Sequence, residues 1–135
     1  MEEDLSKSPR NPTPAELEIL RALWKSPGST VRELMESSTG KPQGYTTLLK
    51  MLQIMHEKGL VERQEDGKAH RYSAASGQSE TRTGLVTDLI NRAFEGAAQT
   101  LVMHALAAKR PSREELAEIR KMLEMYEERT EEEPK

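Results

Sequence analysis

Residues 44–73 read GYTTLLKMLQIMHEKGLVERQEDGKAHRYS, and this stretch decides the fold. With successive helical residues about 100° apart, Leu48, Met51, Leu52 and Met55 fall on one side of a helix running from about Gly44 to Lys58. Thr46, Leu49, Lys50 and Gln53 fall on the other side, with Thr47 on the flank. The first set reads as a core face. Gly59, just past the last periodic residue, suits the left-handed position that ends a helix. The period then changes to two short extended segments, Leu60 to Gln64 and Lys68 to Ser73, joined by a turn at Glu65-Asp66-Gly67-Lys68. Asp-Gly between extended segments signals a hairpin.

Upstream, a hydroxyl residue followed three positions later by Glu marks a capping box, in which each side chain satisfies the other's backbone N–H. Thr13 with Glu16 and Thr30 with Glu33 fit, and Pro14 suits the first helical position. Leu17, Leu20, Leu23 and Trp24 share one face of the first helix, which ends at Ser26-Pro27-Gly28. A short second helix from Val31 to about Ser37 turns Val31, Leu34 and Met35 inward, and the loop Thr39-Gly40-Lys41-Pro42 ends it. Three helices followed by a two-stranded wing describe a winged helix-turn-helix.

Downstream, residues 74–80 read as a linker, and helical periodicity returns after them. Leu85, Val86, Leu89, Ile90, Ala93, Phe94 and Ala97 form one stripe, and Leu101, Val102, Ala105 and Leu106 another. Pro111 breaks the chain, and Ser112 with Glu115 forms a third capping box. Leu116, Ile119, Met122, Leu123 and Tyr126 then nearly follow a heptad seam. A tail of about 50 residues can hardly enclose such broad apolar faces alone, so a second copy is expected to cover them. The expected dimer contacts are Leu85, Leu89, Phe94, Leu101, Leu116, Ile119 and Leu123. The fold class is thus mainly α, an N-terminal winged helix followed by C-terminal dimerisation helices. The expected division is a loose tail over 1–12, a DNA-binding domain over 13–75, dimerisation helices over 76–129 and a loose acidic tail over 130–135.

Composition narrows the function. The 135 residues rule out a large two-lobed enzyme, and 4% aromatics are too few for an array of base-stacking platforms. With 20 Lys+Arg against 23 Asp+Glu the net charge is −3, so any nucleic-acid surface must be local. No cysteine occurs, which excludes disulfides, thiolate nucleophiles and Cys-ligated zinc. His56, His70 and His104 lack ligand spacing, and phosphate loops, Ser-His-Asp groupings and nucleophile elbows are missing. No catalytic residue, metal or cofactor is therefore expected. The acidic start and the lack of an apolar run near the roughly 18 residues of a span argue against a signal peptide or membrane helix. A cytoplasmic protein is the default expectation.

Between Ser37 and Tyr72 six bases face four acids, a local excess of +2. Three of the bases, Arg63, Lys68 and Arg71, lie on the wing, and Lys50 lies on the third helix. That is the surface a winged helix presents to double-stranded DNA. Thr46 and Thr47 can bond a base or touch a thymine methyl, Gln53 can pair with adenine, and Lys50 can bond guanine or a phosphate. Leu49 favours contact with a partner, and Tyr45 either bonds a phosphate or braces the helix start. The rival use of such a face is docking a protein, which would not need the three wing cations. A plain solvated polar face is the bland alternative.

These residues bring a resemblance into view. Pro14-Ala15-Glu16-Leu17-Glu18-Ile19-Leu20, Leu23-Trp24, Thr30-Val31-Arg32-Glu33-Leu34, Gly44 to Leu52 and Glu57-Lys58-Gly59-Leu60-Val61 resemble the penicillinase repressor and methicillin-resistance regulator family. Copper-responsive repressors also belong to that family. A weaker likeness runs through Leu101-Val102 to Glu114-Glu115-Leu116, so it covers about residues 13–128. The resemblance implies a homodimeric transcriptional repressor whose winged helices read a palindromic operator. It places Thr46, Thr47 and Lys50 on the reading helix and Arg63, Lys68 and Arg71 on the wing. In staphylococcal members a regulatory protease relieves repression by cutting an Asn-Phe bond, where this chain has His104-Ala105. Copper-responsive members carry a C-terminal cysteine motif, which this chain lacks, so thiolate copper sensing is excluded. Ile54 stands where several members have Arg.

Overall fold

A computed structural model describes residues 11–37 and 44–132. The elements are α1 (Pro14–Lys25), α2 (Val31–Glu36), α3 (Tyr45–Lys58), β1 (Val61–Asp66), β2 (Ala69–Ala74), α4 (Gln78–Ala93), α5 (Ala98–Ala108) and α6 (Arg113–Glu132). They fall into two compact units, Met1–Thr87 and Asp88–Lys135. The expected loop over 39–42 lies outside the described residues.

All three capping boxes form. Thr13 Oγ1 accepts from Glu16 N at 3.2 Å while Glu16 Oε1 accepts from Thr13 N at 2.9 Å. Thr30 with Glu33 and Ser112 with Glu115 repeat the exchange. At the other end of α3, Gly59 adopts φ 85° and the Leu60 N–H returns to the Met55 carbonyl at 2.9 Å. This is the left-handed closure that an L side chain would strain.

The core of the first unit joins Ile19, Leu20 and Leu23 of α1, Val31 and Leu34 of α2, and Leu48, Leu52 and Met55 of α3 with Leu60, Val61 and Tyr72. Met51, expected inside, is half-buried against this cluster. Leu49, expected to face outward, also packs on it. Tyr72 carries no signal of burial in the sequence, yet it is only 1% exposed. Its place follows from a bridge outside the hairpin. Tyr72 N–H donates to Ser29 O at 2.8 Å, and Ser29 N–H donates to Tyr72 O at 3.1 Å.

The hairpin is tighter than expected. β1 and β2 pair antiparallel from Val61↔Ala74 to Asp66↔Ala69, leaving a two-residue turn of Gly67 and Lys68 in place of the anticipated four. Gly67 takes φ 66° and Lys68 stays out of the left-handed region, the arrangement with glycine first in the turn. The anticipated linker over 74–80 likewise shrinks to Ala75-Ser76-Gly77. Ala75 N–H bonds Leu60 O at 2.9 Å, Trp24 Nε1–H bonds Ser76 O at 2.9 Å, and Glu80 Oε1 accepts from Gly77 N at 3.3 Å.

Both ends depart from expectation too. Asn11 is held to α4 by a 3.2 Å bond from Nδ2 to Gly84 O, so the first unit runs past the boundary expected at residue 75. Thr130, Glu131 and Glu132 complete α6 instead of starting a loose tail. The long stripe expected to reach Ala97 ends with α4 at Ala93, because Glu95 and Gly96 turn to φ 51° and 82°.

Glu16 has a second partner that local patterning did not reveal. Lys58 Nζ, at the end of α3, lies 2.6 Å from Glu16 Oε2 at the start of α1. Burial pushes the Glu16 carboxyl up, but the bonds from Lys58 and Thr13 outweigh it and hold the group below its ordinary value. The pair therefore stabilises the fold above the ordinary carboxylate range, and that contribution is lost as pH falls through the depressed value. Lys58→Ala is expected to destabilise the protein by about 1–3 kcal/mol near neutrality, since it strips a buried carboxylate of its donor. Urea denaturation checks this, and the gap from wild type should close in acid.

Candidate nucleic-acid interface

On α3, burial of Leu48, Leu52 and Met55 leaves Thr46, Thr47, Lys50 and Gln53 exposed along the opposite side. Unlike α1, α2 and α6, this helix has no side-chain cap at its N-terminus, where Gly44 stands. Among the described residues, the N–H groups of its first turn therefore lack the side-chain acceptor found at the starts of α1, α2 and α6, at the positive end of the helix dipole. Tyr45 is exposed, and among the described residues its hydroxyl has no hydrogen-bond partner, so it does not brace the helix start by such a bond.

The wing supplies cations according to its register. Directly opposed residues of an antiparallel pair share a face. Arg63 lies opposite Tyr72, so it points to the side on which Tyr72 is buried. There Arg63 and Lys68 of the wing meet Tyr45, Leu49 and Gln53 of α3 around a groove of about 380 Å³. Thr46, Thr47 and Lys50 lie beside it on the same helix.

Two groove residues escaped sequence reasoning. Arg32, exposed in the first turn of α2, lines the groove as a third cation. Arg32 lies upstream of the stretch from Ser37 to Tyr72 that carries the basic excess, although its place beside the buried Val31 in a capped helix was a usable signal. His70 lines the groove as well, and its Nδ1 is buried with no hydrogen-bond partner among the described residues. No sequence signal placed it there, because the burial of Tyr72 that fixes the inward face of β2 itself depends on the distant Ser29 bridge.

Arg71 stands apart from these residues. Its neighbour in the register is Gln64, on the face away from Arg63. Nε donates to Asp66 Oδ2 at 2.7 Å, and one terminal nitrogen donates to Gly28 O at 2.8 Å and to Glu33 Oε1 at 3.3 Å. The wing is thus not a row of three equivalent cations.

The expected dimer residues sit as follows. Leu85, Phe94, Leu101 and Ile119 are half-buried, and Leu89, Leu116 and Leu123 are exposed. The Phe94 ring lies 5.5 Å from that of His104, whose Nδ1 is 2.9 Å from Thr100 O. The His104-Ala105 bond is inside α5. Among the described residues no cluster of three or more His, Asp or Glu could hold a metal ion, and no helix is long and apolar enough to cross a membrane.

Three helices, a two-stranded wing and an exposed polar face on the third helix define a winged helix-turn-helix, mainly α, followed along the chain by further helices. The chain belongs to the penicillinase repressor family, whose sequence pattern matches residues 12–125. It is 33% identical over 89 residues to the transcriptional regulator BlaI of Mycobacterium tuberculosis, spanning 64% of each chain. It is 26% identical over 122 residues to the penicillinase repressor of Bacillus licheniformis, covering 87% of this chain and 93% of that one. The methicillin resistance regulatory protein MecI of Staphylococcus aureus is 24% identical over 113 residues, covering 81% of this chain and 89% of MecI. Members of this family are transcriptional regulators, not enzymes.

Proposed function

We propose that the chain is a cytoplasmic, sequence-specific DNA-binding repressor that holds a palindromic operator as a homodimer. Residues 13–75 would read one half-site, and the helices over 76–129 would clasp the second copy. One observation carries the reading: α3 presents Thr46, Thr47, Lys50 and Gln53 outward beside a groove rimmed by Arg32, Arg63 and Lys68, while its other side is buried. Threonine, lysine and glutamine address base edges or phosphates, and the uncapped start of α3 suits a backbone phosphate. Tyr45 fits the phosphate role, since its hydroxyl is unengaged. The docking alternative has less support because the groove is rimmed by three cations, Arg32, Arg63 and Lys68, which a protein-docking face would not need. A regulatory protease acting at His104-Ala105 would first have to unwind α5.

A gel shift on the DNA upstream of the protein's own gene, against random DNA of equal length and across a salt series, tests this. The expected result is specific binding that weakens steeply with salt. Thr47→Ala and Lys50→Ala should each cost about 1 kcal/mol or more of operator affinity with the fold retained. Wild-type affinity in both variants would show that α3 does not enter the groove of the DNA.

A further inference from the structure

The geometry points to Arg71 as a positioning residue that latches the wing onto α2, and not as a DNA contact. This rests on the DNA-binding reading above and changes the role of one residue in it. Arg71 projects from β2 on the face away from the groove cations. Its guanidinium joins three separate places in the first unit. Asp66 is the last residue of β1, at the tip of the wing. Gly28 is in the turn that leads to the Ser29↔Tyr72 bridge. Glu33 is the residue that caps α2, and the Oε1 atom that accepts from Arg71 also accepts from Thr30 N–H at 3.0 Å.

The fork of the guanidinium makes this possible, because its donors point in fixed, divergent directions. A second set of bonds follows the same line. Gly28 N–H reaches both Ser73 Oγ at 2.9 Å and Tyr72 O at 3.0 Å. Those bonds fix the base of β2, and Arg71 extends the attachment toward the tip through Asp66. Lys68, which shares the turn after Asp66 with Gly67, is the groove cation whose place depends most on that attachment. The Arg71 side chain is 38% exposed and those of its carboxylate partners more so, so no single pair is strong. Its effect lies in where the wing tip is held.

The two roles predict opposite signs for Asp66→Asn. If Arg71 contacted phosphate, removing a nearby negative charge would tighten DNA binding. As a latch residue, Arg71 loses its partner, and Asp66→Asn should weaken specific binding by about threefold. Arg71→Gln should weaken it similarly, and the double variant should be no worse than either single one, because both break the same link. Arg71→Lys, which keeps the charge but not the fork, should behave like Arg71→Gln. The slope of log affinity against log salt should stay at its wild-type value in all four, whereas loss of a phosphate contact lowers it by about one.

Tighter binding by Asp66→Asn, rescue by Arg71→Lys, or a shallower salt slope for Arg71→Gln would overturn the proposal. Wild-type affinity in all four variants would overturn it as well. Amide hydrogen exchange of the DNA-free protein separates this from failure of the DNA reading. Exchange at Gly67, Lys68 and Ala69 should quicken in Asp66→Asn and Arg71→Gln whether or not the wild type prefers its upstream DNA. Unchanged exchange there would remove the latch itself.

Discussion

Under the proposed homodimer, the wild type should sediment as a dimer and Leu123→Asp as a monomer at the same concentration, with operator affinity lower by about two orders of magnitude. The reason begins with exposure. Leu123 is 56% exposed, and Met122, Tyr126, Val102 and Met103 are exposed to a similar degree. In α4 and α5 no residue is buried, whereas the winged helix encloses its own core. Apolar faces of this extent on α6 call for a cover, and their near-heptad spacing matches a second helix of the same kind. A carboxylate at the centre of such a seam would have to be desolvated without a partner, which removes the association instead of trimming it. A monomer would then hold one half-site and forfeit the gain of holding two at once. An undiminished dimer would take Leu123 out of the seam, and a monomer that binds the operator as tightly as the wild type would reject the two-half-site reading.

Leu52→Ala is expected to cost about 2–5 kcal/mol, a large share of the roughly 5–15 kcal/mol that holds a domain of this kind together. Leu52 is 0% exposed, with Leu48 and Met55 beside it on the buried side of α3. Truncation leaves a cavity bounded by three helices and the hairpin, which cannot all collapse into it. Gln53→Ala, one residue on, should leave stability almost unchanged and weaken DNA binding. Urea denaturation and a gel shift on the same two proteins separate core face from reading face. If Leu52→Ala were nearly neutral, or Gln53→Ala strongly destabilising, α3 would be rolled about its axis from the placement described.

Much of the fold was legible because its signals are local. A capping box spans four residues, so Thr13, Thr30 and Ser112 announced three helix starts that the structure places there. Gly59 announced the end of α3, and periodicity divided that helix into its two sides. Within the proposed interface, Thr46, Thr47, Lys50 and Gln53 came from that same local geometry. The same geometry placed Leu49 on that side, but not its packing against the core, which depends on what α2 and the wing bring near it.

Neighbours along the chain settle hydrogen bonding and periodicity, so the order of the helices, their capped starts, the Gly59 end of α3 and most of its two sides could be read from the sequence. Only the tertiary structure decided how the pieces share partners. Glu16 meets Lys58 across 42 positions, Trp24 meets Ser76 across 52, and Arg71 meets Gly28 across 43. Tyr72 became core, and Ala75 to Gly77 became a tethered connection, through bonds of the same long reach. The same cause separates the wing cations. Arg63 and Lys68 face the groove while Arg71 turns to Asp66 and Glu33, because strand register and a distant carboxylate, not the charge of the residue, set where each guanidinium or ammonium points.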